Sequence, residues 1–177
     1  MTMDRTARAT LDAPDDEIDL ERWLFELSDA DYQACARGHR AAGSYTDEHG
    51  RGTINVESIG GNLIIQHYRA ARTGPSYVEM YSPRSRVYLL HVIPVTASVR
   101  WTLTSTPVTG STSELTCTVD VTLRPVLSML GRLMASGTFL KRHVEEETSG
   151  FAADISHKHH SRKLCARESA EHTRASR

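Results

Sequence analysis

Disulfide chemistry is the first thing this chain lacks. Its 177 residues hold three cysteines, Cys35, Cys117 and Cys165, odd in number and far apart. That spacing forms neither a disulfide framework nor a zinc pair, so reduced thiols in a cytosol are expected. A long apolar run is missing too: no stretch of about 18 apolar residues is present, which excludes a transmembrane helix. Residues 1–16 carry charges where a secretory leader needs an apolar core, so export is not expected. Net charge is nearly absent, with 21 Lys+Arg against 22 Asp+Glu. No long-range field therefore gathers polyanions or holds an anionic membrane. The basic end from His157 to Arg177 has no interleaved aromatics and reads as a solvated tail rather than a nucleic-acid arm. There is no Gly-rich phosphate loop between a strand and a helix, no nucleophile elbow and no internal repeat.

What the chain does have is alternation. Val99, Trp101 and Leu103 share one strand face, and Leu115, Cys117, Val119, Val121 and Leu123 share another. That period-2 pattern marks an antiparallel sheet with one face on a core and one in water. In Leu63–Tyr68 and Val87–Val92 the same period places His67 and His91 where an aliphatic residue is expected. An unpaired ionisable group on a core-facing surface costs roughly 2–7 kcal/mol. Such a sheet is expected to border a cavity.

Around this sheet the elements follow from local signals. Asp19 caps a helix through Leu27, with Leu20, Trp23, Leu24 and Leu27 at helical spacing. Ser28 caps a second helix ending near Arg37, with Gly38 as its stop. From Tyr45 to Pro125 the chain reads as about six strands in hairpin succession: Thr53–Ile59, Leu63–Ala70, Tyr77–Ser82, Arg86–Ile93, Val95–Thr106 and Ser113–Leu123. Gly60-Gly61-Asn62 turns the first hairpin, and Ser82-Pro83-Arg84-Ser85 is expected to turn another. Pro125 opens a helical region whose apolar side is Leu127, Leu130, Met134, Phe139, Leu140, Val144, Phe151 and Ile155, with bends at Gly131 and Gly137. Its main helix is expected over Thr138 to about His157, closing a domain over residues 1–158. Residues 159–177 are expected to be a disordered polar tail.

Two short helices, a hairpin-rich antiparallel sheet and one long C-terminal helix are the element order of the helix-grip fold. The stretches Trp23–Tyr32, Asn55–Gly61 with Gln66-His67-Tyr68, Val99–Leu103, and Glu146-Glu147 with Phe151–Ile155 resemble small members of the polyketide cyclase/START/Bet v 1 superfamily. The resemblance spans roughly residues 18–158. It implies an α+β fold, a curved antiparallel sheet of six or seven strands around the terminal helix, with an apolar cavity entered near the helix start and the hairpin loops. Superfamily members begin with a long strand. Thr6–Leu11 could add a short edge strand but is a poor candidate for a long one. With that departure from the superfamily pattern, the sheet either lacks the strand or borrows an edge from a partner such as a second copy.

Candidate chemistry is read on the same pattern. His67 and His91, on neighbouring strands, could take a proton from an acidic C–H or O–H. Glu79 or Tyr68 is the candidate partner; if Val78 and Met80 point inward, Glu79 is instead a surface residue. Trp101, Tyr81 and Met80 are candidate pocket walls. On the long helix Phe139, His143 and Glu147 form one stripe, and His143 and Glu147 are i, i+4 neighbours that either pair on the helix surface or face the cavity mouth. A His-x-x-x-Glu pair without a second histidine does not make a metal site, so no metal and no cofactor is expected. Two functions are carried forward: a cofactor-independent cyclase, dehydratase or isomerase of a polyketide-like intermediate, and a non-catalytic carrier of a lipid or other hydrophobic small molecule.

Overall fold

The computed structural model describes residues 2–123 and 137–175. The expected Pro125, Leu127, Leu130, Gly131 and Met134 features lie outside them. Seven strands form one antiparallel sheet: β1 (Thr2–Leu11), β2 (His39–Asp47), β3 (Gly50–Ile59), β4 (Asn62–Gly74), β5 (Tyr77–Leu89), β6 (Ile93–Pro107) and β7 (Ser113–Leu123). Their spatial order is β1-β7-β6-β5-β4-β3-β2, a meander from β2 to β7 whose last strand is joined by the first. Two short helices, α1 (Leu20–Glu26) and α2 (Asp29–Cys35), precede β2, and a long helix, α3 (Gly137–Ala175), packs on β1, β7, β3 and α2. This is the α+β helix-grip architecture expected, a curved sheet around its terminal helix. No described helix is long and apolar enough to cross a membrane.

Both short helices begin as their sequences predict. The Asp19 carboxylate accepts from the Arg22 amide at 2.9 Å, and the Ser28 hydroxyl accepts from the Asp31 amide at 3.1 Å. The core they cover is built on Phe151, whose ring meets Trp23 and Trp101 edge-on at centroid distances of 5.0 and 5.9 Å.

The structure corrects four expectations. First, β1 is present and runs the length of β7, from Thr2 opposite Thr122 to Leu11 opposite Ser113. Its apolar content is thin, but Ala7 and Leu11 are buried, and Thr6 and Thr118 share a hydroxyl hydrogen bond of 3.0 Å across the pair. Second, Ser82–Ser85 is a bulge inside β5, where the register against β6 slips. Pro83 is tolerated there because a bulge requires no ladder N–H from it. The chain reverses instead at Leu90 and His91, with φ of 50° and 62°. Third, β2 starts at His39, ahead of the expected strand region. Fourth, α3 continues through 159–175, the segment expected as a disordered tail. Its basic side chains meet acids at the front of the chain: Lys163 and His159 reach Glu17 at 2.5 and 3.3 Å, and Arg162 reaches Glu26 at 2.9 Å.

Candidate functional site

Between the sheet and α3 lies a small, partly open hollow of about 50 Å³. The strands line it with the apolar side chains Ile59, Ile64, Val87, Val99, Val119 and Val121. Among them stand Asn55 and Glu57 from β3, Gln66 and Tyr68 from β4, Trp101 from β6, and His143 and Glu147 from α3. Glu57, Gln66, Tyr68, His143 and Glu147 are all buried.

These groups interlock. The Tyr32 hydroxyl donates to Glu57 Oε1 at 2.7 Å, and Gln66 Nε2 donates to Glu57 Oε2 at 3.2 Å. The Trp101 indole N–H donates to Glu147 Oε1 at 3.1 Å. His143 Nε2 stands 3.7 Å from Glu57 Oε2 and 3.5 Å from Glu147 Oε2, too far for a hydrogen bond to either. Behind Glu57, His39 stacks on Tyr32 at 3.8 Å, and its Nδ1 lies 2.6 Å from the Tyr32 carbonyl. Because a carbonyl only accepts, Nδ1 carries the proton.

Burial governs the protonation of this cluster. It pushes Glu147 well above the usual carboxylate range, and the neighbouring Glu57 carboxylate adds to the shift against the opposing Trp101 N–H. Burial also raises Tyr32 and Tyr68, with Glu57 and Glu147 contributing to both. It lowers His39, against the pull of Glu57. The hollow therefore has a neutral, protonated tendency at Glu147, Tyr32 and Tyr68.

Of the residues singled out from sequence, Tyr68, Trp101, His143 and Glu147 meet at the hollow. Met80 is fully buried but packs in the core away from it. Phe139 is half exposed near the mouth, its ring about 3.1 Å from where a Cβ on Gly60 would stand. The other four are elsewhere. His67 is exposed on the opposite face of β4, because Ile64, Gln66 and Tyr68 are the residues that point inward. Leu63, Ile64 and Ile65 are apolar in both phases, so alternation alone chose the wrong one. His91 is exposed in the β5–β6 turn. Glu79 and Tyr81 lie on the outer face, since Val78 and Met80 are the buried alternates. There Glu79 pairs with Arg100 and accepts from the Tyr77 hydroxyl at 2.8 Å, and the Arg100 guanidinium lies 5.2 Å from the Tyr81 ring centroid.

Sequence reasoning missed Tyr32, His39, Asn55, Glu57 and Gln66. Polar residues fill the inward phase of β3 while Ile54, on the outward phase, is exposed. Hydropathy therefore pointed the wrong way, and the one available signal was the Asn55–Gly61 and Gln66–Tyr68 stretches in the superfamily resemblance.

The fold is START-like, of the helix-grip class. A conserved protein from Geobacillus kaustophilus superposes with a TM-score of 0.58 at 12% identity, covering 88% of this chain and 95% of that one. A START superfamily protein from Mycobacterium smegmatis gives 0.51 at 11% identity, covering 88% and 97%. A hypothetical protein from Helicobacter pylori gives 0.53 at 8% identity, covering 86% and 88%. No family model matches the chain, and no curated protein matches it.

Proposed function

We propose that the protein binds a small, largely apolar molecule with an oxygen-bearing end inside the hollow. The observation that carries this reading is the mixed lining of the hollow. Aliphatic side chains from β3 to β7 and α3 make up most of it, and Asn55, Gln66, His143 and Glu147 set a few polar groups among them. The side-chain carbonyl oxygens of Asn55 and Gln66 have no protein partner, which leaves them to accept from a ligand. An apolar lining with a few convergent polar groups is the common form of ligand sites. Exposed Leu90 and Phe139 flank the Gly60-Gly61 turn: the Leu90 amide donates to Asn62 beside it, and Phe139 packs against it.

A second reading, cofactor-independent cyclisation, dehydration or isomerisation of a polyketide-like intermediate, is favoured by one arrangement. His143, Glu147, Glu57 and Tyr68 all line the hollow, with His143 Nε2 3.7 Å from Glu57 and 3.5 Å from Glu147. It needs neither His67 nor His91. The test is uptake of an apolar fluorescent probe, followed by native mass spectrometry of molecules that co-purify. Val121→Trp, which fills the hollow from β7, is expected to weaken probe binding at least tenfold with the fold retained by circular dichroism. Unchanged affinity would refute binding in the hollow. A difference in mass or in chromatographic retention between the molecule loaded and the molecule recovered would distinguish turnover from carriage.

A further inference from the structure

We propose that His39, Glu57 and His143 form a binding site for a divalent transition-metal ion of the zinc type, set into the inner wall of the hollow. One ligand atom from each of the three lies within 4.8 Å of the others. His143 Nε2 is 3.7 Å from Glu57 Oε2 and 3.5 Å from Glu147 Oε2. Zinc bonds of about 2.0–2.1 Å at tetrahedral angles separate neighbouring ligand atoms by about 3.4 Å. The spacings seen are too long for hydrogen bonds and close to those of ligands around one ion.

Two unpartnered atoms make the stronger argument. His39 and His143 are only 3% and 8% exposed, and Nε2 of each has no hydrogen-bond partner. A buried imidazole held for packing or for an ion pair would spend that nitrogen on a neighbour. Here the neighbours are arranged for something else. His39 donates Nδ1–H to the Tyr32 carbonyl at 2.6 Å, which leaves the lone pair on Nε2. A backbone carbonyl on the far nitrogen is the usual support of a metal-binding histidine. Glu57 is held in the same manner, by the Tyr32 hydroxyl on Oε1 and by Gln66 on Oε2. Tyr32 therefore orients two of the three ligands.

The donor set selects the ion. Two imidazoles and a carboxylate suit zinc and its neighbours, whereas calcium and magnesium take oxygen alone. Glu57, His143 and Glu147 line the hollow, so an ion has a route in. A fourth position falls to Glu147 or to an oxygen from the hollow. The site does not depend on which organic molecule, if any, the hollow takes.

The test uses the full chain, stripped with a chelator and loaded with zinc(II) or with cobalt(II) as a visible probe. His157, His159 and His160 on α3 are a competing source of imidazole, so His157→Asn, His159→Asn and His160→Asn are combined as the background. The expected result is one equivalent of metal per chain after desalting, retained in that background and weakened at least tenfold by His39→Asn or His143→Asn with circular dichroism unchanged. Glu57→Gln, which keeps the volume, is expected to weaken binding as well. If a histidine variant does not fold, X-ray absorption of the zinc-loaded background chain decides, because two imidazole nitrogens must be seen around the metal. Loss of binding in the background, less than a tenth of an equivalent retained, or a metal without paired imidazoles would each overturn the site.

Discussion

Gly38 shows how a single residue serves a site it does not belong to. A Cβ added there would stand 2.8 Å from His143 Nδ1, 2.9 Å from His143 Cε1 and 3.2 Å from the Ser58 carbonyl oxygen. In sequence this glycine reads as a helix stop, but α2 already ends at Cys35, and Ala36 is extended with φ of −153°. Its missing side chain lets the His143 ring reach the cluster. The ring has little room to retreat, since His39 meets it edge-on at 5.3 Å. Gly38→Ala is expected to cost about 1–3 kcal/mol, the range for overpacking a filled interior. Gly43→Ala, with nothing within 4 Å of the new atom, is the control and should stay within about 0.5 kcal/mol. Urea denaturation measures both; equal midpoints would show that His143 yields freely.

Elements are tied to one another by a different set of contacts. Gly150 of α3 lies so close to the end of α2 that a Cβ would fall 2.0 Å from the Cys35 carbonyl oxygen, so the two backbones touch. Lys158 reaches Asp31 of α2 at 2.9 Å and Asp154 at 2.8 Å, while the Trp23 indole of α1 donates to Asp154 at 2.7 Å. Lys158 thus joins the helices through two carboxylates. Its hydrogen bond holds Asp31 below the ordinary carboxylate range, assisted by Ser28. A depressed value in the folded state stabilises above the unfolded value, near 3.9, and that contribution is lost as pH falls through the folded value. Asp31→Asn is therefore expected to lower stability at pH 7 and to make a smaller difference at pH 2. Asp31 is largely solvated, so the loss at pH 7 should not exceed about 1 kcal/mol. Denaturation midpoints at the two pH values check it, and a larger loss in acid would contradict the sign.

At the scale of the whole molecule, the fold depends on its first strand. β1 supplies the edge that covers β7 and packs under α3, and Ala7 lies opposite the fully buried Cys117. Burial pushes the Cys117 thiol far up, and pushes Cys35 up to about 12, while Cys165 is exposed. In the intact chain only Cys165 should react with a thiol reagent near pH 8. A chain lacking residues 1–11 should label at Cys117 as well and self-associate through the uncovered β7 edge, read by mass spectrometry and size-exclusion chromatography. An unlabelled Cys117 in the shortened chain would mean that the sheet closes without β1.

Much of this architecture was legible in short windows. Trp101 and Leu103 on β6 and Leu115 to Val121 on β7 alternate cleanly, and Asp19 and Ser28 mark the starts of α1 and α2. Those signals are local, since a strand face or a cap is decided by residues a few positions apart. The site is not local. Tyr32, His39, Glu57 and His143 lie on α2, β2, β3 and α3, and no spacing along the chain encodes their meeting. Nor does alternation say which phase of Leu63–Tyr68 faces in when both phases begin with aliphatic residues. The amino-acid order therefore determined the period, the caps and the element order of this protein. Only the closing of the sheet on α3 decided that His67 and His91 meet water while His39 and His143 share a buried carboxylate, because burial belongs to the packed surface and not to the strand.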